Sequence, residues 1–253
     1  MDQNEALLEA IYASPDDDAL RLVYMDYLQD RGDPRGEFIS LQMKRLGRAL
    51  TREEARTERR LLAAHAARWV PSEVLSKIKR VTLRFERGFL ARCHLRQSEQ
   101  PVGSRLAGHA AWRTVHTITA EGTGFGANRI LLAPELAGLR RLNIHTGRFA
   151  FEYLGDPAPR QLEMLSFCWF PGDERELVAA LRDATGFPRL QHLVVFLREA
   201  DALRELLSTE LVTRLDHLSL WDRRTWDMQP YELHQRVRNA GFDGFRIQRQ
   251  IFG

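Results

Sequence analysis

A six-residue pattern, apolar-x-x-apolar-x-apolar, returns down the second half of the chain and limits the folds open to it. It reads Leu139-x-x-Leu142-x-Ile144, then Leu162-x-x-Leu165-x-Phe167, then Leu190-x-x-Leu193-x-Val195. Leu215-x-x-Leu218-x-Leu220 and Phe242-x-x-Phe245-x-Ile247 follow, and a weaker first copy is Trp112-x-x-Val115-x-Thr117. The starts at 112, 139, 162, 190, 215 and 242 are 27, 23, 28, 25 and 27 residues apart. A recurrence of that length marks a structural unit stacked on copies of itself. Helical segments lie between the copies. Asp173-Glu174 precedes Leu177, Val178 and Leu181, with Gly186 closing the run; Leu203, Leu206, Leu207 and Leu211 have helical spacing within 200–213; Pro230 opens a helix ending near Asn239-Ala240-Gly241. Strand alternating with helix predicts an α/β fold with parallel strands joined by crossovers. One such unit cannot bury its own apolar face, whereas a stack can.

On these residues, 112–250 resemble a leucine-rich-repeat solenoid of the helix-backed type. The resemblance implies a curved parallel sheet, helices on its outer side and a concave face open to solvent. One departure stands out. The Asn or Cys usual eight residues after the first Leu is replaced by Ala120, Gly147, Phe170, Arg198, Arg223 and Gln250. Backbone groups in the turns therefore need other partners, and irregular curvature is expected.

The first half reads as helices followed by a hairpin. Ser14-Pro15-Asp16-Asp17 predicts a helix start with Ser14 as N-cap, running to about Asp30 and burying Leu20, Val23, Tyr24, Tyr27 and Leu28. Arg31-Gly32-Asp33-Pro34 stops it. A second helix from about Gly36 is expected to bury Phe38, Ile39, Leu41 and Leu46. Thr51-x-x-Glu54 is a capping box for a third helix through Trp69, ended by Pro71. Val81, Leu83 and Phe85 then alternate on one arm and Phe89, Ala91, Cys93 and Leu95 on the other, with Glu86-Arg87-Gly88 as the turn.

The runs Leu7-Leu8-x-x-Ile11, Pro15-Asp16-Asp17-Asp18, Leu22-Val23-Tyr24-Met25-Asp26-Tyr27-Leu28 and Arg31-Gly32-Asp33-Pro34-Arg35-Gly36-Glu37-Phe38-Ile39 resemble a short bacterial repeat-companion domain of myxobacteria and planctomycetes. Met25 and Tyr27 depart from its usual small residue and Trp. The resemblance covers about residues 7–48 and implies a neighbour of leucine-rich repeats. Physically, it suggests a cap over the open apolar edge of the first repeat. The expected division is a helical N-terminal cap over 1–78 and a β-hairpin plus irregular solenoid over 79–253.

If the apolar positions point inward, the intervening side chains line the other sheet face. In the first copy these are Thr114, His116 and Ile118. From the later copies the expected partner-binding set is Arg141, Asn143, His145, His192, Phe196, His217, Trp221 and Arg246. Aromatic side chains beside His and Arg are the composition of an interaction hot spot. His192 and His217 would be neighbours, with Cys168 or His145 near. Metal sites need three or four ligands, and no Cys-x-x-Cys or His-x-x-x-His spacing accompanies the pair, so no metal is expected. Gly122-Thr123-Gly124-Phe125-Gly126 lacks a phosphate-binding lysine and the dinucleotide spacing, and reads as a turn. No hydrolase or metalloprotease motif occurs. Neither catalysis nor a cofactor is expected.

Charge offers a second reading. Residues 1–40 carry −7 and residues 41–100 carry +9. The basic segment 44–96 includes Lys44, Arg45, Arg48, Arg52, Arg56, Arg59, Arg60 and Arg68 and could hold nucleic acid. Glu53, Glu54 and Glu58 could instead pair with these cations along the helix. No run is long and apolar enough to span a membrane. The acidic start lacks a secretory n-region, and two cysteines cannot build a disulfide framework. A cytoplasmic scaffold protein that binds a protein partner is the expectation.

Overall fold

The computed structural model describes residues 2–79, 82–95, 108–121, 130–131, 133–146, 161–167, 174–182, 187–197 and 200–221. The glycine stretch 122–126, the helix expected after Pro230 and the sixth copy of the pattern lie outside the described residues.

Five helices open the chain. α1 (Gln3–Ala13), which the sequence patterns left unassigned, starts at a capping box between Asp2 and Glu5. Its end takes up Ser14, whose N–H donates to the Ala10 carbonyl at 3.0 Å. Ser14 is therefore not the cap of the next helix. α2 (Asp18–Gln29) begins three residues later than expected, because the Asp17 carboxylate accepts from the Ala19 N–H at 2.8 Å. α3 (Pro34–Gly47) is capped by Asp33 and has Pro in its first turn. It lies tight against α2: a Cβ at Gly36 would be 2.8 Å from the Gln29 nitrogen. α4 (Arg52–Trp69) has the reciprocal Thr51–Glu54 bonds that its sequence announces, and α5 (Ser72–Leu75) follows Pro71.

Two apolar residues expected inside these helices are outside. Val23 is 53% exposed and Leu46 is 61% exposed. The buried stripe of α2 runs through Arg21, Tyr24 and Leu28, which leaves Val23 on the flank, and the buried stretch of α3 ends at Gln42. Arg21, only 2% exposed, takes a core position that no apolar pattern marks.

A seven-stranded mixed sheet follows. β1 (Arg84–Glu86) and β2 (Phe89–Leu95) form the hairpin, and β3 (Thr117–Glu121), β4 (Arg141–Thr146), β5 (Met164–Phe167), β6 (His192–Phe196) and β7 (His217–Trp221) follow in chain order across the sheet. Among the described strands the β1–β2 pair is antiparallel and every pair from β2–β3 to β6–β7 is parallel. Helices α6 (Glu174–Arg182), α7 (Ala200–Leu207) and α8 (Glu210–Thr213) contribute Leu177, Leu181, Leu206 and Leu211 to the core under the sheet. The stretch 200–213 is thus two helices rather than one, broken where Thr209 Oγ1 donates to the Leu206 carbonyl.

Register corrects the first copy of the repeat. Ile118 pairs with Leu142 and Ala120 with Ile144, so the copy equivalent to Leu139-x-x-Leu142-x-Ile144 is Val115-x-x-Ile118-x-Ala120, three residues later than expected. β2 supplies another: Cys93 pairs with Ile118 and Leu95 with Ala120, giving Leu90-x-x-Cys93-x-Leu95. All six of these residues are buried, at about 1.5–3 kcal/mol for each large apolar side chain. A backbone ladder runs across the strand starts. The carbonyls of His116, Arg140, Glu163 and Gln191 each accept two N–H groups from the following unit, at 2.8–3.0 Å.

The helices and the sheet share buried contacts. Phe38, Leu41, Leu61, Val74 and Ile78 pack in one core with Phe85, Cys93 and Leu95. Polar bonds fix the hairpin tip to α3. Gln42 accepts from the Gly88 N–H at 2.7 Å and donates to the Phe85 carbonyl at 3.0 Å and to Glu58, while Arg45 pairs with Glu58. Arg35 donates to the Gly88 carbonyl and lies 4.6 Å from the centre of the Phe89 ring. No described helix is long and apolar enough to cross a membrane.

Candidate functional site

Two rows of side chains alternate with the buried positions and emerge on the other face of the sheet. Strand pairing aligns Arg92, Thr117, Arg141, Met164, His192 and His217 in the first row. The second row is His94, Thr119, Asn143, Ser166, Val194 and Ser219. Arg92, Arg141 and His217 are exposed, and most of the rest are half-buried; Ser166 is buried. The rings of His192 and His217 have centres 4.6 Å apart.

Of the expected binding residues, Arg141, Asn143, His192 and His217 come together on this face. His145, Phe196 and Trp221 lie in β4, β6 and β7, with the latter two paired in register; their side chains, and all of Arg246, are outside the described residues. The three-residue slip of the first copy removes Thr114, His116 and Ile118 from the open face. Thr117 and Thr119 hold the first two places instead, and Ile118 is core.

A cleft of about 410 Å³ opens at the N-terminal ends of the strands, bordered by Pro15 and Asp16 from the loop between α1 and α2. Arg92 donates to Glu86 through Nε at 2.9 Å and Nη2 at 2.6 Å, and His116 Nε2 lies 3.0 Å from the other Glu86 oxygen. Burial alone would raise the Glu86 pKa. The bonds from Arg92 and His116 outweigh it and hold the carboxyl below its ordinary range. Asp16 lies 3.4 Å from Arg87 and 3.2 Å from Arg140. Apart from Arg141, the expected binding set contains none of the residues of this cleft, because most of them lie ahead of the strands or in loops. With the repeat aligned as the strands align it, the run Arg113, Arg140 and Arg189 just ahead of β3, β4 and β6 becomes visible.

The basic segment is also arranged differently from its expected self-pairing. Glu54 is taken by Lys44 and Arg48, and Glu58 by Arg45, all from outside α4. Arg52, Arg56, Arg59 and Arg60 are exposed and make no ion pair among the described residues. No group of three His, Cys, Asp or Glu side chains that could hold a metal occurs among the described residues. Cys93 is buried, which pushes its thiol up to about 12 and makes it a poor nucleophile.

No protein-family model, curated protein or solved structure matches the chain.

Proposed function

We propose that this chain is a non-enzymatic docking module: an irregular leucine-rich-repeat solenoid, capped by a repeat-companion domain, that takes a protein partner on its open sheet face. The observation that carries this reading is the parallel register that continues from β2 to β7, with a shift in the β3–β4 pair between Ala120 and Glu121. It sets two rows of side chains on one wall, spaced about 4.8 Å per strand. A wall of this kind offers many weakly committed contacts rather than one reactive centre, which is how stacked-repeat surfaces hold partners. Arg, Asn and His supply polar contacts, and the paired positions Phe196 and Trp221 would supply aromatic anchors at the strand ends.

The test is capture of host proteins by the chain and by two charge-changed variants. Asn143→Glu with His217→Glu alters the open face, while Arg204→Glu alters the exposed outer side of α7. The proposal expects a specific partner to be lost with the first variant and kept with the second. Loss with Arg204→Glu alone would move the docking surface to the helical side.

A second reading, nucleic-acid binding through residues 44–96, draws support from the unpaired arginine row of α4. It expects affinity for a duplex that falls steeply with salt and drops when Arg52, Arg56 and Arg59 are reversed in charge.

A further inference from the structure

Separately from partner docking, and without depending on it, we propose that the cleft at the strand starts is a binding site for a phosphate monoester. Six arginines face this cleft: Arg87, Arg92, Arg113, Arg140, Arg141 and Arg189. Three carboxylates, Asp16, Glu86 and Glu163, face it with them. The charges are not evenly matched. On the side nearest the hairpin, Glu86 holds Arg92 and Asp16 holds Arg87 and Arg140. Arg113, Arg141 and Arg189 are exposed and make no ion pair among the described residues.

Strand register places these three around a common floor. Thr117, Arg141, Met164 and His192 are aligned, and Thr114, Gly138, Gln161 and Arg189, each three residues ahead of one of them, all line the cleft. At about 4.8 Å per strand, β3 and β6, which Thr114 and Arg189 precede, are about 14 Å apart. Arg113 and Arg189 thus approach from opposite ends, with Arg141 between them. Gly138 lies in the middle of the floor, and a Cβ there would meet only the Arg113 carbonyl oxygen, at 3.8 Å. The space over Gly138 is open.

Arg113, Arg141 and Arg189 outnumber Glu163, the cleft carboxylate that makes no ion pair among the described residues, and their excess charge is relieved by a ligand carrying more than one negative charge. A phosphate monoester carries about −1.5 to −2 at neutral pH and offers three strong acceptor oxygens. Guanidinium forks match those oxygens two at a time. A polynucleotide fits less well. No Phe, Tyr or Trp side chain lines the cleft to stack a base, and its one imidazole, His116, is held against Glu86; a continuous chain of phosphodiesters would run onto Asp16, Glu86 and Glu163. The monoester could come from a small phosphorylated compound or from a phosphorylated side chain, and both present the same group.

Titration of the full-length chain tests this with three probes: inorganic phosphate, a labelled phosphoserine peptide of otherwise neutral sequence, and an oligonucleotide without terminal phosphates. The expected result is saturable binding of phosphate or phosphopeptide that weakens at least tenfold in Arg113→Gln and in Arg189→Gln. Gly138→Gln, which fills the floor and leaves every charge in place, should weaken it likewise, while Arg52→Gln on α4 should not. Thermal melts of the variants confirm that they are folded. Phosphopeptide binding much tighter than inorganic phosphate assigns the group to a side chain, and equal affinities assign it to a small compound. The proposal is overturned if neither monoester binds saturably, if binding ignores the Arg113 and Arg189 substitutions, or if the oligonucleotide binds as tightly as the phosphopeptide.

Discussion

Gly88, at the tip of the β1–β2 hairpin, lies so close to Ile39 of α3 that a Cβ on the glycine would stand 2.1 Å from Ile39 Cγ1. The hairpin meets the N-terminal helices at this point, and Arg35 and Gln42 bond the same glycine's carbonyl and N–H. Its φ of +84°, next to Arg87 at +53°, is the left-handed geometry of a tight two-residue turn.

Gly88→Ala should therefore combine backbone strain with overpacking and destabilise the chain by about 2–4 kcal/mol. Urea denaturation measures it. A change below about 0.5 kcal/mol would mean that the hairpin does not seat against α3.

Acid sensitivity follows from two carboxylates. The bond from Arg48, reinforced by the Thr51 N–H, holds Glu54 down to about 2, and Glu86 is held low by Arg92 and His116 against the opposing effect of burial. For a carboxyl with a depressed folded pKa, the stabilisation is complete above the unfolded value, about 4.3 for Glu. It is lost as pH falls through the folded one. Glu54→Gln and Glu86→Gln should lower the urea midpoint at pH 7 and leave it close to wild type near pH 2. A gap between variant and wild type that widens toward acid would contradict this account.

Arg21 is buried, its Nε has no hydrogen-bond partner, and its nearest carboxylate oxygen, on Asp18, is 3.8 Å away. Burial first, then repulsion from Arg87, lowers its pKa to about 10. Replacing a poorly compensated buried charge by an apolar side chain of similar length is often neutral or favourable. Arg21→Met should stay within about 1 kcal/mol of wild type or gain stability. A loss above about 3 kcal/mol would mean that the stacking of Arg21 on Phe89, at 5.4 Å, and its bond to the Asp17 carbonyl outweigh the desolvation.

The strands were legible in the sequence wherever Leu-x-x-Leu-x-apolar is undiluted, because burial on one face imposes the period. Val115-x-x-Ile118-x-Ala120 was misaligned because Trp112, also fully buried, imitates the first apolar place from the preceding 3-10 turn. Leu90-x-x-Cys93-x-Leu95 does not stand out as a repeat in the sequence because it doubles as a hairpin arm. The second helix start was misplaced because Ser14 and Asp17 are both good caps, and only α1, ending at Ser14, decides between them. Half of the expected contact set is gathered on one face. Arg141 belongs to the expected contact set, but nothing local marks Arg113 and Arg189 as its neighbours until the strands are aligned.

The central claim is that neighbouring strands run parallel in this register, and a cysteine pair tests it directly. His192 and His217 are aligned across β6 and β7, within the Cα separation a disulfide tolerates. In a Cys168→Ser background, with buried Cys93 unreactive, His192→Cys with His217→Cys should form an intramolecular disulfide on mild oxidation. His192→Cys with Leu218→Cys should not, because Leu218 points into the core. Crosslinking of the 192–218 pair in place of the 192–217 pair would contradict the register and remove the shared wall on which the proposed docking depends.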